Sequence, residues 1–253
     1  MREVRIGSVF TDYDGTLAPM EVPATSSRVR LQLQKVLVAI SAASSLAVIT
    51  SKSFDFIFPR IRYADAWACV SGLDIRLSDG REFTVSGCAA TEAALGVARE
   101  AFGRAVTYEE KRSSSKELLA FSVDWRRSSA PPKLQSVLRS FSRAGVYVLY
   151  EPTNPFVDVF CGPPDKGLAM TRIMNHWKSK RKTIFLGDSP ADNGAFRVAD
   201  VAVGIVHGQP TGALECDYLL DFSDLTAFLG TLLERDMVFS PDLPGLLRGR
   251  ELA

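Results

Sequence analysis

The sequence predicts an α/β fold in which a parallel sheet is flanked by helices and a separate α+β module is inserted into the chain. Two observations support this. Apolar strand-like segments alternate with helical patterns in both terminal thirds, whereas the middle of the chain carries strands that pair locally. The length of 253 residues, with 46% hydrophobic and 23% charged residues, accommodates this organisation and is typical of a globular protein.

The N-terminal elements form a strand, a helix and a second strand. The run from Val4 to Thr11 is apolar and β-branched, which predicts a strand buried on both faces. Ser26 or Ser27 can cap a helix whose apolar residues recur at helical spacing up to Ile40. The run from Leu46 to Thr50 predicts a second buried strand, which completes a βαβ unit.

The C-terminal third repeats this alternation of strands and helices. The predicted elements there are a helix at Ala169 to Trp177, a strand at Thr183 to Leu186, a helix at Asn193 to Val198 and a strand at Val201 to Ile205. Strands and helices in this order predict a Rossmann-like core, to which we assign residues 1–78 and 161–253.

Residues 79–160 are predicted to form the inserted module. The turn from Ser78 to Arg81 separates two strand-like runs, Leu73 to Leu77 and Glu82 to Val85, which is a hairpin signal. The elements predicted downstream are a helix at Thr91 to Phe102, strands at Val106 to Glu109, Leu118 to Trp125, Val146 to Tyr150 and Phe156 to Phe160, and a helix after Pro132.

Charge and cysteine content exclude several classes of function. Thirty basic residues against 29 acidic ones give a net charge of +1, which offers no broad positive field for nucleic acid or an anionic membrane. The four cysteines include no CxxC pair, so the sequence predicts neither a zinc site nor a disulfide framework. No apolar run is long enough for a membrane helix, and we expect a cytoplasmic protein.

Two acidic residues follow the first predicted strand directly. Asp12 and Asp14 belong to the run DYDGTL, which places them in a tight turn at the carboxyl edge of the sheet, where open α/β folds bind ligands. One carboxylate there can attack phosphorus while the other transfers a proton. A bare pair of this kind also fits an ordinary turn or helix cap.

A second acidic loop follows a later strand. The run GDSPADN from Gly187 contains Asp188 and Asp192, and two acidic loops beside phosphate chemistry indicate a hard divalent cation, for which Mg²⁺ fits. Taken alone, the segment is equally explained as a capped helix start.

Two further residues complete a predicted anion pocket. Ser51 follows the second strand and can donate to a phosphate oxygen, although such a serine also fits a simple turn. Lys166 opens a predicted helix, so its ammonium and the helix N-terminus can both face an anion, whereas most lysines are merely solvated. The order of these segments, each at a strand end or helix start, predicts one pocket for an anion and a metal.

These segments resemble, in order, the four motifs of the haloacid dehalogenase-like (HAD) phosphatase superfamily. The motifs are DYDGTL from Asp12, ITSK around Ser51, DKG around Lys166 and GDSPAD from Gly187. The resemblance covers nearly the whole chain and implies that the inserted module is a C2-type cap. It also implies that Asp12 is the nucleophile, Asp14 the general acid/base, and Ser51 and Lys166 the phosphate-binding groups.

The same resemblance implies a metal site and substrate contacts. Mg²⁺ would be held by Asp12, the main-chain carbonyl of Asp14 and Asp188, with Asp192 in a supporting position. Gly15 and Thr16 of the first motif are assigned to substrate binding.

Within the superfamily, the sequence is similar to trehalose-6-phosphate phosphatases, which share the DYDGTL start and the Ala-Pro pair found here at Ala18. Glu109 and Lys111 match an ExK pattern of that family, Arg126 matches the last position of its HYR pattern, and Asp158 stands in place of a Glu. The resemblance therefore implies that these four residues bind the sugar, although they also fit ordinary surface charge. GDSPADN departs from the GDDxTDE of that family, and TSKS resembles mannosyl-3-phosphoglycerate phosphatases.

The sequence therefore predicts a Mg²⁺-dependent phosphomonoesterase that hydrolyses a sugar phosphate, with trehalose 6-phosphate as first choice, through an aspartyl-phosphate. A mannosyl-3-phosphoglycerate or sucrose-phosphate phosphatase and a sugar-phosphate phosphomutase remain alternatives, and the oligomeric state stays open. A binding protein without turnover is the rival outside enzymes, against which the intact motif residues argue. No catalytic role is predicted for His176 or His207.

Overall fold

A computed structural model describes residues 3–19, 26–152, 154–178, 181–208 and 214–248. The strands are β1 (Val4–Thr11), β2 (Ser45–Ile49), β3 (Ala66–Cys69), β4 (Asp74–Leu77), β5 (Glu82–Thr84), β6 (Thr107–Arg112), β7 (Leu118–Asp124), β8 (Tyr147–Leu149), β9 (Phe156–Phe160), β10 (Lys182–Gly187), β11 (Val201–Val206), β12 (Tyr218–Asp221), β13 (Val238–Phe239) and β14 (Leu246–Arg248). The α-helices are α1 (Leu31–Ala43), α2 (Phe54–Ile57), α3 (Ala89–Phe102), α4 (Leu134–Arg143), α5 (Lys166–Trp177), α6 (Asn193–Phe196) and α7 (Leu225–Glu234).

The larger sheet has β1 near its centre. Its order is β14-β12-β11-β10-β1-β2-β3-β4-β5, and β1 pairs in parallel with both β10 and β2. The last six residues of β1 are buried, as expected of a strand covered on both faces. Because β1, β2 and β10 run in the same direction, the chain segments that follow them meet at one edge of the sheet. This confirms the predicted parallel α/β core.

A second sheet, of antiparallel strands in the order β6-β7-β9-β8, forms the inserted module, which we call the cap. Alternate side chains of its strands, such as Phe121 and Val159, pack in one apolar cluster with Leu95 of α3 and Phe141 of α4. The residues between them point to the other face, which we call the inward face because Ala120 at its base packs in the apolar cluster of the core.

The hairpin of β4 and β5 extends the larger sheet. β4 pairs with β3 and β5 pairs with β4, so residues 82–84 continue the core sheet, although the sequence grouped them with the inserted module. The hairpin pattern shows that two strands pair with each other, but it carries no information about which sheet they join.

Helix α1 begins later than the sequence predicts. Its N-cap is Arg30, and no side chain caps it. The Ser27 hydroxyl instead donates a hydrogen bond of 3.3 Å to Asp14 Oδ1, and the Ser27 carbonyl accepts one of 3.0 Å from the Tyr13 hydroxyl. The serine that the sequence assigns to a helix therefore supports the loop after β1.

Several elements were not predicted, among them β3, β12 and α7, and the tail after Pro241 contributes the edge strand β14. None of the helices in the described ranges combines the length and apolar character needed to cross a membrane.

Candidate active site

Asp12 lies directly at the end of the central strand. Its N–H donates to the carbonyl of Leu186 at 2.8 Å, so the backbone at Asp12 still belongs to the β1–β10 ladder and is held rigidly. The side chain is buried, and one carboxylate oxygen lies 3.0 Å from Lys166 Nζ. A carboxylate is thus fixed at the carboxyl edge of the sheet beside a cation.

Lys166 joins Asp12 to the second acidic loop. Its Nζ also donates to Asp192 Oδ1 at 2.6 Å, and both residues are buried. The contact depends on a close approach of two backbones, since a Cβ added to Gly167 would lie 2.3 Å from the carbonyl oxygen of Gly194. Glycine at these positions lets the first turn of α5 pack against the start of α6, which brings Lys166 to Asp192.

The loop after β10 is organised around the Asp192 carboxylate. Its second oxygen accepts hydrogen bonds from the N–H groups of Asp188 and Ser189, at 3.1 and 3.0 Å, and from the Ser189 hydroxyl. The Asp188 side chain accepts a hydrogen bond of 3.1 Å from the Thr16 hydroxyl, which joins the first and last motifs. Thr16, assigned to substrate binding from the sequence, therefore positions Asp188 in this structure, and its contact with substrate stays a prediction.

The electrostatics of this cluster follow from burial and from the excess of acid. Burial raises the pKa of Asp12 well above its usual range; the charges of Asp192 and Asp188 act in the same direction, and Lys166 opposes them. Burial, with the neighbouring Asp192, also raises the pKa of Asp188 to about 6. For Lys166 burial favours the neutral amine, but Asp12 and Asp192 outweigh it and raise the pKa of the ammonium.

The side chains present fit a hard divalent cation. Asp12, Asp188 and Asp192 each offer an oxygen, and the three oxygens lie within 4.8 Å of one another. When all three carboxylates are ionised, their negative charge exceeds the single positive charge of Lys166 by two. Carboxylate oxygens are the ligands that Mg²⁺ prefers. Because Asp192 already accepts four hydrogen bonds, it fits the supporting position better than direct ligation.

Asp14 lies farther out, with about one third of its side chain exposed. Its carboxylate contacts the Ser27 hydroxyl and the ammonium of Lys52, whose Nζ is 3.7 Å from Asp14 Oδ2. The turn that follows Asp14 begins with Gly15, whose φ of +77° lies in the left-handed region. A solvent-accessible carboxylate two residues after the buried one suits proton exchange with a leaving group or with water.

His207 contacts the loop of the first motif, which the sequence analysis did not predict. Its Nε2 lies 2.7 Å from the carbonyl oxygen of Gly15, and its ring stacks on Phe222 with centroids 4.8 Å apart. The Gly15 N–H is engaged as well, by Ala18, so the predicted contact of Gly15 with substrate also stays a prediction. The position of His207 immediately after β11, whose end lies at the same sheet edge, was the sequence signal that could have identified it.

Ser51 lies two residues after the end of β2, the parallel neighbour of β1, and is half-buried. Ser51 therefore lies at the edge of the sheet where the phosphate is predicted to bind, and its contact with phosphate stays a prediction. The next residue, Lys52, has a fixed backbone, because its N–H donates to the Thr50 hydroxyl and its carbonyl accepts from Val70.

The predicted sugar-binding residues of the cap share its inward face. Glu109, Ser122 and Asp158 are successive cross-strand partners, and the Glu109 carboxylate lies 3.8 Å from Nζ of Lys52 in the core. Lys111 and Asp158 pair with each other at 3.1 Å and are both buried, and Ser122 donates to the same carboxylate. Lys111 and Asp158 thus join β6 to β9 of the cap sheet, and their contact with a sugar stays a prediction.

Arg126 is more exposed than the other predicted sugar-binding residues. Its guanidinium lies 5.2 Å from the ring centroid of Phe156 and 3.5 Å from the Asp124 carboxylate. Phe156 and Asp158 are two residues apart on β9, so their side chains share the inward face. Arg126 therefore lies beside this face, next to the first residue of β9.

No protein-family model matches the chain, and a search of curated proteins finds no match. Solved structures do match. The C-terminal domain of the C. albicans trehalose-6-phosphate phosphatase is 14% identical and covers 91% of this chain and 93% of its own, with a TM-score of 0.73. A trehalose-6-phosphate phosphatase related protein is 17% identical, with coverages of 90% and 97% and a TM-score of 0.67. A HAD subclass IIB sugar phosphatase is 16% identical, with coverages of 91% and 99% and a TM-score of 0.65.

These neighbours are HAD-superfamily phosphatases, and the likeness extends over both the core and the cap. At such low identity it concerns the fold, and it confirms the fold class that the sequence predicts.

Proposed function

We propose that the protein is a Mg²⁺-dependent phosphomonoesterase that hydrolyses a sugar phosphate through an aspartyl-phosphate on Asp12. The observation that carries the proposal is the buried Asp12 carboxylate, held 3.0 Å from Lys166 within a cluster of three acidic side chains. An anion-binding pocket with an excess of buried carboxylates needs a cation before a phosphate can enter. The shared fold with sugar phosphatases supports the same reaction class.

In the first step, an oxygen of Asp12 attacks phosphorus, the bond between phosphorus and the ester oxygen breaks, and Asp14 gives its proton to the departing sugar oxygen. In the second step a water molecule attacks phosphorus and gives a proton to Asp14. The bond between phosphorus and Asp12 then breaks, and inorganic phosphate leaves.

The remaining site residues hold and orient the reacting groups. Lys166 keeps Asp12 in place and offers positive charge to the phosphoryl group, with Ser51 as a further donor. Thr16 orients Asp188, and Asp192 fixes the loop that carries it. Mg²⁺ bound by Asp12, Asp188 and the main-chain carbonyl of Asp14 would neutralise negative charge on the carboxylates and the phosphoryl group.

The polar side chains on the inward face of the cap favour a leaving group with many hydroxyls. Glu109 presents its carboxylate towards the core, and Arg126 lies exposed beside the same face. Such side chains hydrogen-bond hydroxyls, and trehalose 6-phosphate is the first substrate to test. Cytoplasmic location remains part of this proposal.

A phosphate-release screen tests the proposal. The substrates are trehalose 6-phosphate, sucrose 6-phosphate, mannosyl-3-phosphoglycerate, simple hexose phosphates and p-nitrophenyl phosphate, each with Mg²⁺ and with excess chelator. We expect release only with Mg²⁺. Product analysis by NMR separates hydrolysis from transfer of the phosphoryl group within the sugar, which a phosphomutase would give.

Two variants assign the carboxylates. Asp12→Asn is nearly isosteric and should abolish turnover, because an amide cannot form the acyl-phosphate. Asp14→Asn should slow turnover by about 10²- to 10⁴-fold. Asp55→Asn, an exposed acid on α2, is the matched control and should leave turnover unchanged. Normal phosphate release by Asp12→Asn would remove the proposed nucleophile.

A further inference from the structure

Lys52 lies between the core and the cap. Its Nζ is 3.7 Å from a carboxylate oxygen of Asp14 and 3.8 Å from one of Glu109, and about one fifth of its side chain is exposed. Within the described part of the chain, the pair of Lys52 with Glu109 is the ion pair that joins the core to the inward face of the cap. Because hydrogen bonds hold the Lys52 backbone at both its N–H and its carbonyl, the side chain extends from a fixed position.

Glu109 differs from its neighbour in β6. Glu110 points to the opposite face of the cap sheet, where Arg99 and Arg112 bind its carboxylate. Glu109 points inward, and among the described residues its charged partner is Lys52. Glu110 therefore forms its ion pairs within the cap, whereas Glu109 forms an ion pair with Lys52 of the core.

The distances leave room for a ligand. Both N–O separations exceed the 2.7–2.9 Å of a close charged hydrogen bond. The ammonium has three donors and can keep both carboxylates near while it donates to an oxygen that enters between them. A sugar hydroxyl placed there would touch the cap through Glu109 and the core through Lys52.

On the basis of the proposed function, we propose that Lys52 is a positioning residue that couples the cap to the acid/base group. Its ion pair with Glu109 holds the cap over Asp14, so that a leaving group can bind in the space between them. Only substrates whose leaving group reaches the cap gain from this link. A small aryl phosphate depends on the core residues alone.

A double-mutant cycle tests the coupling. We compare kcat/KM of wild type, Lys52→Ala, Glu109→Gln and the double variant with excess Mg²⁺, using the best sugar phosphate from the screen and p-nitrophenyl phosphate. Loss of the ion pair should cost about five-fold with the sugar phosphate, which is the upper end for partly exposed pairs. The double variant should lose no more than the worse single variant. Glu110→Gln, the matched control on the opposite face, should show no coupling to Lys52.

The conservative variant and the second substrate separate positioning from folding. Lys52→Arg keeps the charge and should retain most of the sugar-phosphate activity. With p-nitrophenyl phosphate, the same double-mutant cycle should give a coupling between Lys52 and Glu109 of less than about two-fold. Losses that multiply in the double variant, or equal losses of Glu109→Gln on both substrates, would overturn the coupling.

Small-angle X-ray scattering tests the link without turnover. At low ionic strength, Lys52→Ala and Glu109→Gln should each raise the radius of gyration as the cap moves away, and added salt should move wild type towards the same value. Identical scattering curves for wild type and both variants would overturn the link. If wild type hydrolyses none of the phosphates, the proposed function fails, and the scattering result still decides whether Lys52 holds the cap.

Discussion

Replacing Lys166 by methionine tests the charge balance of the site. Methionine has a similar length but no charge, so Asp12 and Asp192 lose the cation that lies 3.0 and 2.6 Å from them. Breaking a buried ion pair by removing one partner costs about 3–5 kcal/mol. For a protein of this size, that corresponds to a fall in Tm of roughly 6–20 °C. We expect this loss in metal-free protein at pH 8.

The loss should depend on pH in a defined direction. Burial already raises the pKa of Asp12 and Asp188 in the folded protein, and removal of the ammonium raises both further. The folded form then holds protons that the unfolded chain, with carboxyl pKa values of about 3.9, has released. The free energy of unfolding therefore falls as pH rises above about 4, so the variant should be closest to wild type near pH 5 and farthest from it at pH 8.

Calorimetric melting in chelator, from pH 5 to pH 8, measures this difference. A double variant, Lys166→Met with Asp192→Asn, removes one charge of each sign and should recover part of the lost Tm at pH 8. Mg²⁺ should also raise the Tm of Lys166→Met by binding the folded form. A Tm equal to wild type at pH 8, or a deficit that is the same at pH 5, would refute the charge-balance argument.

Three further substitutions test individual contacts. Thr16→Val removes the hydroxyl that orients Asp188 and should weaken Mg²⁺ binding by about 10- to 100-fold in calorimetric titration; unchanged affinity would contradict this. Partial burial raises the pKa of Asp200, but hydrogen bonds from Lys182 and Thr183 outweigh it and lower that pKa below its usual range. Asp200→Asn should therefore lose about 1 kcal/mol in urea unfolding at pH 7, and the difference should shrink as pH falls below the ordinary carboxyl pKa of about 3.9. Lys111→Met leaves the Asp158 carboxylate buried without its cation and should destabilise the protein by about 3 kcal/mol in the same assay; a stable variant would argue against a structural pair.

The sequence predicts the site best where a residue adjoins a regular element. Asp12 could be placed at the sheet edge because the apolar run before it is buried on both faces and ends there. Lys166 could be placed at a helix start for a similar reason. These positions depend on local pattern and on the direction of parallel strands, which the order of elements already determines.

Contacts between distant segments could not be predicted in this way. The Thr16 hydroxyl donates to Asp188, which is 172 positions away, and no local pattern indicates this contact. Periodicity is consistent with Lys111 and Asp158 sharing a sheet face, yet their pairing depends on the register of β6, β7 and β9, which alternation alone does not specify. The contact of His207 could not be predicted because its partner is a main-chain carbonyl, which no side-chain motif reveals.

The contact of Gly167 with Gly194 sets the separation between the first turns of α5 and α6 by steric contact of their backbones. Neither glycine has a side chain that could touch a substrate, so a survey of pocket-lining side chains would pass over both. A methyl group at position 167 would nevertheless push α5 away from α6, because it would lie 2.3 Å from the facing carbonyl oxygen. The ammonium of Lys166, one residue away, would move with the helix. Variants made to alter specificity should therefore leave position 167 unchanged, because this point behind the pocket has no room for an added atom.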